Sequence, residues 1–98
     1  MLKQHSEIDA LFLVSAGVYG ACRAVLSLDR SPIIICYDCL PNTCDMIRNG
    51  VIHAAIDQQP RYQGSKPLDI LFNAVALNTL PVKEFYFSNI EIRIAENL

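Results

Sequence analysis

Polar side chains stand where two apolar runs stop, and their types suit hydrogen bonding better than bond-making chemistry. Asp38 follows Ile33–Cys36 and Tyr37, and Gln58 follows Val51–Ile56 and Asp57. A carboxylate accepts two hydroxyl hydrogens, while a Gln amide offers one acceptor oxygen and two donor hydrogens. Together they match a ligand that carries a ring of hydroxyls. Each has a plainer alternative: Asp38 could cap the helix that follows it, and Gln58 could satisfy backbone at the strand end. Pro60 removes the helix-start role from Gln58. Ser15, at the end of an earlier apolar run, offers a hydroxyl to a ligand or, as serine more often does there, an N-cap.

Other chemistry is poorly supplied. His53 falls inside a predicted strand, with no second histidine or carboxylate at ligand spacing, and His5 lies near the start of the chain. The four cysteines are Cys22, Cys36, Cys39 and Cys44. Cys36-x-x-Cys39 has redox spacing, but Leu40-Pro41 separates it from the helix whose N-terminus would activate it. Cys22 and Cys36 fall at core positions, where free cysteine behaves as a small hydrophobe. The expectation is therefore four free thiols, no metal and no cofactor, which favours a reducing, cytoplasmic setting. Asp45, Asp57 and Asp69 fall on different predicted surfaces and make no acid/base pair, so no enzyme is expected.

The elements that must position Asp38 and Gln58 follow from periodicity. Met1–Glu7 reads as the tail of a helix. Asp9–Val14 is a first strand, Ser15-Ala16-Gly17 a turn, and Val18–Leu28 a helix with the stripe Val18, Ala21, Cys22, Val25, Leu28. Ile33–Cys36 is β-branched and unbroken, as in a strand buried on both faces. Pro41 suits a first helical turn, Thr43–Asn49 continues the helix, and Gly50 is a C′ stop. Leu40, Cys44 and Ile47 share its inward spacing, and Val51–Ile56 is the next strand. These units are βαβ, which puts Asp38 and Gln58 at the same carboxyl edge of a parallel sheet, where open α/β sheets hold ligands.

After Pro60 a longer helix is predicted, with Leu68, Leu71, Phe72 and Val75 on one face. Pro67 should kink or restart it, with Ser65 as the new N-cap. Asn78–Pro81 ends this helix. Glu84–Ser88 and Ile90–Ile94 alternate as short strands.

Length and composition bound the rest. A chain of 98 residues is one small domain, able to bury roughly two-thirds of its unfolded surface. Its hydrophobic content of 52% and mean hydropathy of +0.27 are high for that size and imply surface that something else covers. A net charge of −2 without any Lys/Arg cluster gives no face for direct nucleic-acid binding. No apolar run reaches the length of a membrane span, and Met1–Ser6 lacks the composition of a secretory signal.

The run Tyr37-Asp38…Leu40-Pro41, then Asn49-Gly50-x-Ile52, then Gln58-x-Pro60-x-x-Gln63-Gly64 resembles the effector-binding domain of the lactose-repressor family of transcriptional regulators. Ile8–Phe12 and Glu96-Asn97-Leu98 extend the likeness toward both ends. The resemblance implies an α/β fold: a three-layer parallel sheet flanked by helices, here an incomplete C-terminal lobe of a type I periplasmic-binding-protein-like domain. It divides the chain into that lobe, residues 1–59 and 82–98, and a helix crossing to a second lobe, residues 60–80. It implies ligand contacts for Asp38, Gln58 and, at a position usually Asn or Asp, Ser15. Where the family usually has a small non-proline residue, this chain has Pro67.

The implied partners are a sugar-like effector, a second copy in a homodimer, and DNA only through an amino-terminal helix-turn-helix domain without counterpart here. A solute-binding protein of a sugar transporter, which shares the fold, is the alternative. A flavodoxin-like or response-regulator domain would need an acidic pocket or a phosphate-cradling glycine loop, and Ser15-Ala16-Gly17 supplies neither.

Overall fold

The computed structural model describes residues 1–98, which fall into two units: Met1–Asp57 with Ile92–Leu98, and Gln58–Glu91. The first unit is built on strands β1 (Ala10–Leu13), β2 (Ile33–Tyr37) and β3 (Ala54–Asp57), with helices α1 (Val18–Leu26) and α2 (Pro41–Arg48) as crossovers. Both strand pairs are parallel, in a register that matches Phe12 with Ile35 and Tyr37 with Ile56. The sheet order is β1-β2-β3-β4, where β4 (Glu91–Arg93) lies beside β3. The chain thus has the predicted α/β architecture of parallel strands joined by helices.

One face of this sheet is well filled. Ile34, Cys36 and Ala55 point into a core completed by Cys22 and Val25 of α1, Ile47 of α2, and Ile52. The stripe read from α1 is therefore real at its centre. On α2 the inward pair is Thr43 and Ile47, whereas Leu40 is 56% exposed as the N-cap residue. Its extended backbone, φ −74° and ψ 161°, takes it off the helical spacing that the sequence suggested.

The expectation of a β2 strand buried on both faces is corrected. Ile34 and Cys36 are buried, but Ile33 and Ile35 on the alternate face remain 49% and 37% exposed, as does Phe12 beside them at 54%. Other starts and stops shift as well. Residues 1–8 form turns rather than a helical tail, held by the Arg30 guanidinium, which donates to the carbonyls of Leu2 at 3.0 Å, His5 at 2.8 Å, and Ile8. Strand β3 starts at Ala54, not Val51, because Gly50 at φ 72° turns the chain out of α2 and residues 51–53 complete that turn. His53 accordingly precedes the strand. Its backbone N–H donates to the Ile34 carbonyl at 2.9 Å, and its Nδ1 accepts the Ile34 N–H at 3.2 Å. This is a structural role.

In the second unit, helix α3 (Pro60–Ala76) runs unbroken through Pro67, so the restart at Ser65 does not occur. None of its residues is buried. The following segment forms no strand at 84–88, and the predicted strand 90–94 shortens to β4. Gln59, at φ 55°, anchors this unit: its Nε2 donates to Glu91 Oε1 at 3.2 Å and its Oε1 accepts the Asn89 N–H at 3.1 Å. No helix is long and apolar enough to cross a membrane.

Candidate ligand cleft

The parallel arrangement brings the carboxyl ends of β1 and β2 together, and α1 and α2 begin just beyond them. Between these four ends lies a cavity of about 660 Å³, lined among others by Val14, Ser15, Tyr19, Tyr37, Asp38 and Asn42. Ser15 and Asp38 therefore share one cleft. Gln58 does not line it; it follows β3 directly, as the first residue of the second unit, and its carbonyl accepts the Gln63 amide at 2.7 Å.

Neither Ser15 nor Asp38 occupies the N-cap position of the helix that follows it. Helix α1 is capped by Gly17 at φ 94°, a conformation glycine adopts without a Cβ penalty. Ser15 is thus no N-cap. Helix α2 starts from Leu40 with Pro41 at its head, so Asp38 stands two residues before the N-cap position. Instead Asp38 leaves β2 at φ 66°, in the left-handed region, while its N–H donates to the Ile56 carbonyl at 2.9 Å. The β2–β3 pairing therefore holds Asp38 at the end of the sheet. A left-handed residue with a Cβ persists where surrounding structure holds it, and such residues cluster at ligand sites.

Beneath the cleft the core is apolar. Burial first, then Cys22 and Asp38, push the Cys36 thiol up to about 11, so it stays protonated and inert at neutral pH. Burial likewise raises Cys22. Both are free, as expected. Cys39 and Cys44, however, are joined in a disulfide with Cα atoms 5.7 Å apart, which corrects the expectation of four free thiols. The turn from β2 into α2 leaves the two cysteines within bridging distance, a proximity that linear spacing does not reveal. The premise of the cytoplasmic expectation goes with it.

Periodicity also missed Tyr19, Tyr37 and Asn42 as cleft residues. Tyr19 falls off the apolar stripe of α1, and Asn42 is the second residue of α2. Polar or aromatic residues in the first turn of a helix after a strand end were the available signal.

The chain belongs to a family of ligand-binding proteins: the periplasmic binding protein domain matches residues 1–79. No curated protein matches it. Among solved structures it is similar to GanP, a glucose-galactose binding protein from Geobacillus stearothermophilus, at 26% identity and TM-score 0.83, covering 99% of this chain and 35% of that one. A complex of XylFII and LytSN matches at 29% identity and TM-score 0.79, with 99% and 34% covered. A putative LacI transcriptional regulator from Bacteroides fragilis matches at 21% identity and TM-score 0.86, with 98% and 33% covered, a likeness of fold alone. The chain spans about a third of the length of these structures.

Proposed function

We propose that this chain supplies part of one lobe of a two-lobed sugar-binding protein and performs no catalysis. The observation that carries this reading is Asp38, held left-handed at the end of β2 and lining, with Ser15, the cleft at the carboxyl ends of β1 and β2. Asp38 accepts ligand hydroxyls, Ser15 adds a hydroxyl partner, and Gln58, next in the chain after β3, is the third proposed contact. GanP, described as a glucose-galactose binding protein, supports a sugar as the ligand class. In the finer reading, the ligand is the effector of a lactose-repressor-type regulator and biases a two-state lobe arrangement that controls DNA binding by another domain. Helix α3 would then cross toward the second lobe, and the protein would be a cytoplasmic homodimer. The motif Gln58-x-Pro60-x-x-Gln63-Gly64 and the fold of the Bacteroides fragilis regulator support it.

A second reading, the solute-binding protein of a sugar transporter, is favoured by the Cys39–Cys44 disulfide, since such bonds persist in oxidising compartments. Calorimetry of the two-lobed protein against a panel of hexoses and pentoses tests the shared core. Asp38→Ala should weaken the best ligand by roughly tenfold to a hundredfold through loss of charge-assisted bonds. Unchanged affinity would remove Asp38 from the site. Labelling intact cells with a membrane-impermeant maleimide after mild reduction separates the readings: labelled Cys39 and Cys44 mean a solute receptor, unlabelled ones a regulator.

A further inference from the structure

The Cys39–Cys44 disulfide lies between two features. Its loop encloses Leu40, Pro41, Asn42 and Thr43, all of which line the candidate ligand cleft. Its other side opens on a separate small cavity of about 240 Å³, lined by both cysteines together with Arg48, Asp57, Arg93 and Leu98. The guanidinium of Arg48 pairs with Asp45 Oδ1 at 3.0 Å, and Arg93 Nε lies 3.8 Å from Asp57 Oδ2. Two arginines and one aspartate line a cavity that also exposes a sulfur–sulfur bond.

We propose that Cys39–Cys44 is a thiol–disulfide exchange site whose state sets the rigidity of the cleft wall formed by residues 40–43. The co-reactant is a dithiol. Its thiolate attacks one sulfur, the S–S bond breaks, and the other sulfur leaves as a thiolate. The reagent's second thiol then closes a cyclic disulfide. Two electrons and two protons pass to the protein, which ends with two thiols. A guanidinium beside the sulfurs favours this chemistry, because it attracts the attacking thiolate and stabilises the departing one, an effect that the aspartates paired with Arg48 and Arg93 reduce without abolishing. Cys22 and Cys36 cannot substitute, being buried on the core side. Once the bond opens, Cys39 stays tied to α2 by the backbone turn at Leu40 and Pro41 and by the weak contact of Cys44 Sγ with its carbonyl at 3.5 Å, and the cleft wall loses its covalent cross-link. The consequence for binding rests on the sugar-cleft reading; the exchange chemistry does not.

The test uses the 98-residue chain without ligand. It is equilibrated under native conditions with mixtures of reduced and oxidised dithiothreitol, trapped at neutral pH in the folded state by a brief excess of mass-tagged maleimide, and mapped by peptide. Cys39 and Cys44 should become alkylated together, while Cys22 and Cys36 remain protected. Arg48→Gln should slow the reduction several-fold and Arg48→Lys should restore it. Hydrogen exchange at residues 40–44 should quicken by about tenfold on reduction, with the β2 amides unchanged. Resistance to dithiothreitol until the chain unfolds, or alkylation of the pair without reductant, overturns the exchange site. Reduction without faster exchange at 40–44 overturns its coupling to the cleft. Sugar affinity measured on the two-lobed protein in both redox states then bears on the cleft reading alone.

Discussion

Asp38 and Cys36 are two residues apart and carry opposite lessons about what a side chain is for. Asp38 sits at φ 66°, where a residue with a Cβ is strained by about 1–2 kcal/mol, less for Asp than for most. Were the residue there for stability, glycine would be the natural choice. Asp38→Gly should therefore leave the urea unfolding midpoint unchanged or raise it, while weakening the proposed sugar binding roughly tenfold to a hundredfold, as in Asp38→Ala. A clear loss of stability would mean that the carboxylate is structural. Cys36 is the reverse case, a chemical group kept from reacting. Its folded-state thiol is raised to about 11 against an ordinary value of 9.0. A raised acid favours its protonated form in the fold, so its contribution to stability is complete below pH 9 and is lost as pH climbs through 11. Unfolding free energy measured from pH 8 to 11 should fall, and the decline should shrink in Cys36→Ala. Asp38 was legible as polarity returning after an apolar run. Its left-handed conformation was not, because φ at one residue is something no spacing encodes.

Helices α2 and α3 show where pattern reading holds and where it stops. For α2, Pro41 at the head and Gly50 after the end are local backbone requirements, and both boundaries follow from them. Its inward face is set by the core of the first unit, where Ile47 is 1% exposed. Ile47→Ala should cost about 2–5 kcal/mol in chemical denaturation, while Leu40→Ala, at the exposed N-cap, should cost under about 0.5. The spacing Leu40–Cys44–Ile47 suggested otherwise because it extended the helical period one residue too far. The β2 run Ile33–Cys36 misled in another way. Its composition suits burial on both faces, yet only one face has a partner here. For α3, propensity at Pro67 argues for a break that the structure does not make. Proline in a helix interior lacks the N–H that would bond four residues back and costs about 3 kcal/mol. Pro67→Ala should accordingly raise helix content and slow hydrogen exchange along α3, a change readable by circular dichroism and mass spectrometry. The strand expected at 84–88 was lost because alternation alone, as in the stacked Phe85 and Phe87, supplies no neighbouring strand.

At the scale of the whole molecule, the apolar surface outweighs what one small chain covers. In the first unit, Phe12, Ile33 and Ile35 form a contiguous patch on the sheet face opposite the core, and β1 is an edge strand. In the second, Leu68, Leu71, Phe72 and Val75 of α3 are each at least 59% exposed. A patch of this kind seeks cover, and an open strand edge templates pairing. Burying about 1,000 Å² of such surface is worth roughly 25 kcal/mol gross. That exceeds the association cost of about 4–15 kcal/mol, before side-chain ordering is subtracted. A net charge of −2 adds little repulsion between copies. The isolated chain should therefore self-associate at micromolar concentration, seen as a sedimentation coefficient that rises with loading. Ile33→Lys places a charge in the sheet patch at an already half-exposed position, so it should shift the equilibrium toward monomer without unfolding the chain. A clean monomer for the unsubstituted protein, or association indifferent to both Ile33→Lys and Phe72→Lys, would mean that these faces stay solvated and that the high apolar content serves some other end.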